Sequence, residues 1–174
     1  CAGVPEQKDE AFTYAVKAVQ KERFERCARA AWTFVEQSDP DDPRYDRGLK
    51  LVAQSAEEIG LSWAAGMIYR EIAQMRRNPE LVPVAVEGIK RIVESGRYDE
   101  DTLITSFVAA DEFSELPDSL REFVVFHQGL DLARKGDDDW ADARFERLPT
   151  TSPYAAEARY VVAVRLVARG DFPT

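Results

Sequence analysis

The chain has one histidine and two cysteines among its 174 residues. That leaves little material for a metal centre, a disulfide framework or a histidine-based catalytic pair. No run approaches the roughly 18 uncharged apolar residues that a membrane-spanning helix needs. Glycine and proline, nine of each, are too few for a disordered or collagen-like chain. Positive charge is in deficit: 23 Lys and Arg against 32 Asp and Glu give a formal net charge of −9. That field repels phosphate backbones, so nucleic acid is not an expected partner. The phosphate-binding and nucleophile-elbow signatures G-x-x-x-x-G-K-[ST], G-x-G-x-x-G and G-x-S-x-G are all missing.

What is present is helical periodicity. Hydrophobic residues make up 45% of the chain and recur at i, i+3, i+4 and i+7 in successive segments. Clusters of Asp, Gly and Pro separate these segments, and no stretch shows sustained strand alternation. The pattern predicts helices over 6–20, 23–37, 44–59, 61–77, 80–95, 100–113, 118–135, 138–148 and 153–169. At roughly 150 residues per domain, this is one domain or one run of repeats.

The helices repeat. From Glu122 to Ala155, Gly129 takes a small position on a first helix and Gly136 the turn. Ala141 and Phe145 form an A-x₃-F pair on the second helix, and Pro153 closes the unit. Arg159, Val162, Ala163 and Leu166 then restart the pattern, Ala163 following Gly129 by 34 residues. Leu49, Val52, Ala53 and Ala56 lead through Gly60 to Ala65 and Tyr69, with Pro79 arriving late. A weaker copy uses Ala15, Ala18, Phe24, Cys27 and Ala31, with Pro40. Leu81 to Pro117 keeps Ile92 and Gly96-Arg97-Tyr98 but loses the A-x₃-F pair. The spacing resembles the tetratricopeptide repeat, most closely after Glu122. The physics fits: small residues let helices cross closely, an aromatic fills the space beside them, and stacking creates a core no single pair can bury.

That resemblance implies an all-α, right-handed α-solenoid of stacked antiparallel helix pairs, about four and a half repeats, over residues 8–174. It implies a non-catalytic protein–protein interaction scaffold, with no cofactor, metal or small-molecule substrate. First helices of such repeats line a groove. By the resemblance its wall here is Phe123, Phe126 and Leu130, followed by Glu157, Tyr160 and Val164. The helix over 153–169 is apolar around much of its circumference, yet the chain stops just after Gly170-Asp171-Phe172, where the template has a second helix. Either the chain is truncated or this face meets a partner.

The first residue is Cys1 rather than Met, followed by small and polar residues to Gln7. This resembles a mature bacterial lipoprotein, acylated at Cys1, with residues 1–7 as a tether and its signal peptide already removed. Combined with the repeats, it implies a subunit of an envelope assembly at the periplasmic face of the outer membrane. Its machine would be outer-membrane protein assembly, a pilus or a secretion complex. The alternatives are a cytosolic regulatory repeat adaptor, or a helical ligand-binding domain or enzyme.

The remaining constellations read as structural. Cys27 is expected to be a buried apolar group. His127 is expected on a surface or groove wall rather than in a catalytic site. Asp137-Asp138-Asp139 and Asp99-Glu100-Asp101 lack a calcium-loop register and are expected to cap helix N-termini. Arg76-Arg77 and Lys90-Arg91 are expected on solvated helix faces.

Overall fold

The computed structural model describes residues 3–96, 103 and 116–170. Eight α-helices and one 3₁₀ turn lie among them, with no strand. The chain divides into two compact units, Cys1–Leu103 and Ile104–Thr174.

The first unit contains α1 (Lys8–Val19), α2 (Phe24–Glu36), α3 (Tyr45–Glu58), α4 (Ser62–Met75), the 3₁₀ turn Pro79–Leu81 and α5 (Val82–Glu94). Each helix packs on the one before it, and α1 also touches α3. The consecutive packing is compatible with an α-solenoid. Small residues make it close. Ala11, Ala15 and Ala18 are the buried face of α1, at spacings of four and three. Ala15, Ala18, Cys27, Ala30, Ala31 and Val52 form one core cluster. Cys27 is fully buried there, as its small-residue setting indicates.

The second unit contains α6 (Asp118–Lys135), α7 (Asp138–Phe145) and α8 (Ala155–Arg169). Gly136 ends α6 at φ +80°, a left-handed conformation that costs glycine nothing. The Asp137 amide then donates to the Leu132 carbonyl at 2.9 Å, closing the helix end. Val125, Phe126, Ala141, Phe145, Leu148 and Ala158 form the core cluster.

Boundaries fall within a few residues of the expected spans. The differences have local causes. Helix 80–95 splits because Pro79 opens a 3₁₀ turn and α5 begins at Val82. Helix 138–148 ends at Phe145, and Leu148 becomes a buried loop residue. Of the expected helix 100–113 only Leu103, helical and fully buried, is among the described residues.

Three aromatic rings meet glycines on a neighbouring helix. A β-carbon on Gly129 would fall under 3.0 Å from three atoms of the Phe145 ring, and one on Gly88 equally close to the Tyr69 ring. Gly48 and Phe34 are similarly placed. Phe145 reaches back to the preceding helix, whereas Phe34 and Tyr69 reach forward to the following one. Gly88 and Gly48 were not among the small positions read from the sequence. On α2 the ring at a glycine is Phe34, four residues after Ala30.

One turn occurs twice, with the same bonds. Before α3, the Asp42 amide donates to the Asp39 carbonyl (2.9 Å) and the Tyr45 amide to the Asp42 carbonyl (2.8 Å). The Arg44 amide donates to Asp42 Oδ1 at 2.9 Å. Before α8, the Ser152 amide donates to the Pro149 carbonyl (2.9 Å) and the Ala155 amide to the Ser152 carbonyl (3.1 Å). The Tyr154 amide donates to Ser152 Oγ at 3.3 Å. Asp and Ser do the same work here, each offering a side-chain oxygen to the amide two residues on. The counterpart of Pro153 is therefore Pro43, not Pro40.

Candidate functional site

The second unit holds an aromatic core beneath an open helical face. From α6, Phe123, Phe126 and His127 project into the interior, and Tyr154 covers them from the turn before α8. Phe126 and Tyr154 stack with centroids 5.0 Å apart and planes 17° from parallel. Phe123 and His127 lie 4.5 Å apart, and Phe126 meets Phe145 at 6.1 Å. Aromatic pairs of this kind each add roughly 0.5–1.5 kcal/mol beyond their area burial.

This arrangement corrects two expectations. Phe123 and Phe126 are 1% and 3% exposed, so they build the interior instead of an open groove wall. Leu130 is half-buried against the same cluster. His127 is buried too, not on a surface, and burial pushes its pKa down to about 4. It is neutral near pH 7.

The other three expected groove residues lie together on α8. Glu157 is exposed, Tyr160 is 69% exposed and Val164 is 48% exposed. Val167, 61% exposed, extends the stripe one turn further. Its spacing of seven from Tyr160 and three from Val164 was a legible signal that the sequence reading missed. Beside the stripe, an open groove of about 420 Å³ runs between α7 and α8. Phe145, Leu148, Ala155 and Ala158 line it, with Arg159, Val162, Ala163 and Leu166 of α8 on one side and Asp142 of α7 and Glu146 just after it on the other.

Acidic residues fix α8 to α7. Arg165 reaches Asp138 at 2.6 Å and Asp142 at 2.9 Å, and Arg169 also meets Asp138. Asp137, at the N-cap of α7, makes no side-chain capping bond, but Asp138 and Asp139 stand in the first turn, where carboxylates favour the positive end of the helix dipole, and Asp138 is also an ion-pair partner. The other acidic cluster, Asp99-Glu100-Asp101, lies outside the described residues.

The first unit has a comparable polar tie. Arg77 joins Asp46 through Nε at 2.9 Å and Nη2 at 2.8 Å, and lies 4.9 Å from the Tyr45 ring centroid. It is therefore not a free solvated cation. Arg91 grips Glu57 with two bonds, and the Tyr69 hydroxyl donates to the same carboxylate at 3.0 Å. Burial and the Glu57 carboxylate hold the Tyr69 hydroxyl well above its ordinary pKa. Asp42, held by Arg44 and Lys8, titrates well below the usual carboxylate range.

Among the described residues, no group of three or more His, Cys, Asp or Glu side chains could hold a metal ion. None of their helices is long and apolar enough to cross a membrane. Cys1, the expected lipid-attachment residue, lies outside them. No protein-family model, curated protein or solved structure matches the chain.

Proposed function

We propose that the chain is a tetratricopeptide-like scaffold: a right-handed solenoid of antiparallel helix pairs, non-catalytic, that holds other proteins in a larger complex. The observation that carries this reading is the exposed α8 stripe of Tyr160, Val164 and Val167, on a helix whose amino-terminal end is anchored by Tyr154, Ala155 and Ala158. Large exposed apolar side chains in one line on a rigid element are the usual form of a protein-binding face. The twice-used turn and the ring-against-glycine packing support the repeat reading behind it.

Acylation of Cys1 would place this scaffold at the periplasmic face of the outer membrane, within an envelope assembly. Two or more acyl chains give stable anchoring where one gives only marginal binding. Affinity isolation of the native protein, set beside a Tyr160→Asp/Val164→Asp variant, tests the scaffold. The expected result is a defined set of co-isolated proteins that the variant loses while its helical content stays unchanged. An identical set from the native protein and the variant overturns the assigned face. Mass spectrometry of the native protein tests the anchor: diacylglycerol on Cys1 is expected, and an unmodified peptide running through Cys1 from a longer chain overturns it.

A further inference from the structure

One kind of turn joins α1 to α2, α3 to α4 and α6 to α7. In each, a residue with positive φ (Glu22, Gly60, Gly136) precedes an amide that donates to the carbonyl five residues back. The bonds are Arg23 to Ala18 at 2.9 Å, Leu61 to Ala56 at 2.8 Å and Asp137 to Leu132 at 2.9 Å. Aligned on that bond, Ile59, Leu61 and Trp63 correspond to Lys21, Arg23 and Glu25, and to Lys135, Asp137 and Asp139. Charged residues make this turn equally well, so the turn does not require the apolar set at α3–α4. Yet Ile59, Leu61 and Trp63 are all exposed, Leu61 by 55%.

The α1–α2 turn lies beside them. A depression of about 490 Å³ is lined by Arg23, Phe24 and Arg26 from that turn and by Ile59 from the other. The end of α1, the turn and the start of α2 carry Lys17, Lys21, Arg23, Arg26 and Arg29 against Glu22 and Glu25. At the end of α3, Arg91 neutralises Glu57, and Glu58 adds one anion. This end thus has an excess of two cations in a chain of net charge −9. Among the described residues, none of the five cations is held in an ion pair. Exposed Trp, Leu and Ile beside Arg and Lys are complementary to an anionic lipid surface: the apolar groups enter the interface and the cations meet the phosphates.

The amino-terminal segment leads to the same end. The Glu6 carbonyl accepts from Gln37 Nε2 at 2.8 Å, where α1 starts and α2 stops. Val4 packs against the cluster that includes Ala15 and Ala18, from the second half of α1. The segment therefore runs back along the α1–α2 pair toward its turn. Three residues of extended chain span about 10 Å, so Cys1 is within that reach of Val4.

We propose that the end of the first unit formed by the α1–α2 and α3–α4 turns lies in the headgroup layer of an anionic bilayer. Ile59, Leu61 and Trp63 enter the interface, and the cations around Phe24 face the phosphates. The contact is a second attachment beside the acyl chains on Cys1, and it fixes the orientation of the unit on the membrane. Its setting rests on the lipid anchor proposed above.

The test replaces that anchor by a chemical one. The full chain is coupled through Cys1 to phosphatidylglycerol vesicles that carry a maleimide lipid; Cys27 is fully buried and does not compete. Trp32→Phe/Trp140→Phe leaves Trp63 as the one tryptophan, and Trp63→Phe/Trp140→Phe leaves Trp32. Trp32 is exposed on α2, about 12 Å along the helix from Phe24. Brominated acyl chains should quench the emission of Trp63 and leave that of Trp32 unchanged. Leu61→Glu, at an exposed position, should abolish the quenching of Trp63 while the far-UV helical signal and the coupling are kept. Absent quenching of Trp63 overturns the proposal, as does equal quenching of both tryptophans or quenching that survives Leu61→Glu. An unmodified Cys1 in the native protein overturns the anchor alone, because the coupled chain still decides the contact.

Discussion

The ring of Phe145 on α7 occupies the space that a side chain on Gly129 of α6 would need. Gly129→Ala therefore sets two effects against each other. Alanine gains about 1 kcal/mol of helix propensity. Forcing a methyl group against a buried, rigid ring costs roughly 1–3 kcal/mol. The ring has little room, because Phe126 lies on it within the same cluster. Net destabilisation of about 1 kcal/mol is expected, read as a lower urea midpoint by far-UV circular dichroism. Adding Phe145→Leu should cost less in the Gly129→Ala background than in the wild type. Unchanged or raised stability of Gly129→Ala would show that the ring moves aside freely.

Asp46 is 3% exposed, and Arg77 makes two bonds to its carboxylate. Its second oxygen, Oδ2, has no hydrogen-bond partner within the protein. Removing the cation leaves a buried carboxylate without its counter-charge, a change that typically costs about 3–5 kcal/mol. Arg77→Met should therefore lower the unfolding free energy by about 3 kcal/mol. Asp46→Leu/Arg77→Met should be clearly milder, since it removes both charges together. Equal losses in the single and double variants would mean that Arg77 acts through packing on Tyr45 and not through charge.

The sequence carried the helices because burial here follows a period. Ala11, Ala15 and Ala18 line up on one face, and so do Ala65, Tyr69 and Ile72. Gly129, Ala141 and Phe145 were legible as a set, since a small residue opposite a large one is a packing requirement visible in spacing alone. Gly88 was not, because its ring partner Tyr69 lies on the preceding helix while the segment's own A-x₃-F pair is missing. The inward turn of Phe123, Phe126 and His127 was hidden for another reason. Helix α6 buries residues all around its middle, from Phe123 to Gly129, so no polar face marked which side was open. The stripe on α8 was partly legible: Tyr160 and Val164 were read as groove residues, while Val167 was not singled out from the apolar run of its helix. The ties Arg77–Asp46 and Arg165–Asp138 join residues distant in sequence, a relation that local spacing does not encode.

His127 makes the stability of the second unit depend on pH. An unfolded histidine titrates near 6.5, and burial lowers the folded value to about 4. Between those values the unfolded chain binds more protons than the folded one. The contribution of His127 is thus complete above about pH 6.5 and is lost as pH falls toward 4, by up to roughly 3 kcal/mol. Carboxylates also titrate in this range, so the comparison that isolates His127 is with His127→Phe. Its unfolding free energy should change less between pH 7 and pH 4 than that of the wild type. Parallel pH profiles for the two proteins would mean that His127 is protonated in the folded state.

Cys27 should report on opening of the first unit. Its side chain is fully buried, its Sγ lies 4.0 Å from the Leu51 carbonyl oxygen, and burial raises the thiol pKa. Reaction with a thiol reagent requires both access and a thiolate, and the folded protein withholds both. Labelling of the peptide containing Cys27 should therefore be slower by several orders of magnitude in the native protein than in urea. Cys1 is scored separately, from its own peptide. Gly48→Ala, which presses a methyl group on Phe34, should speed Cys27 labelling by the same factor by which it raises the opening equilibrium. Rapid native labelling, insensitive to Gly48→Ala, would mean that the cluster of Ala15, Cys27, Ala31 and Val52 opens locally, without unpacking α2 from α3.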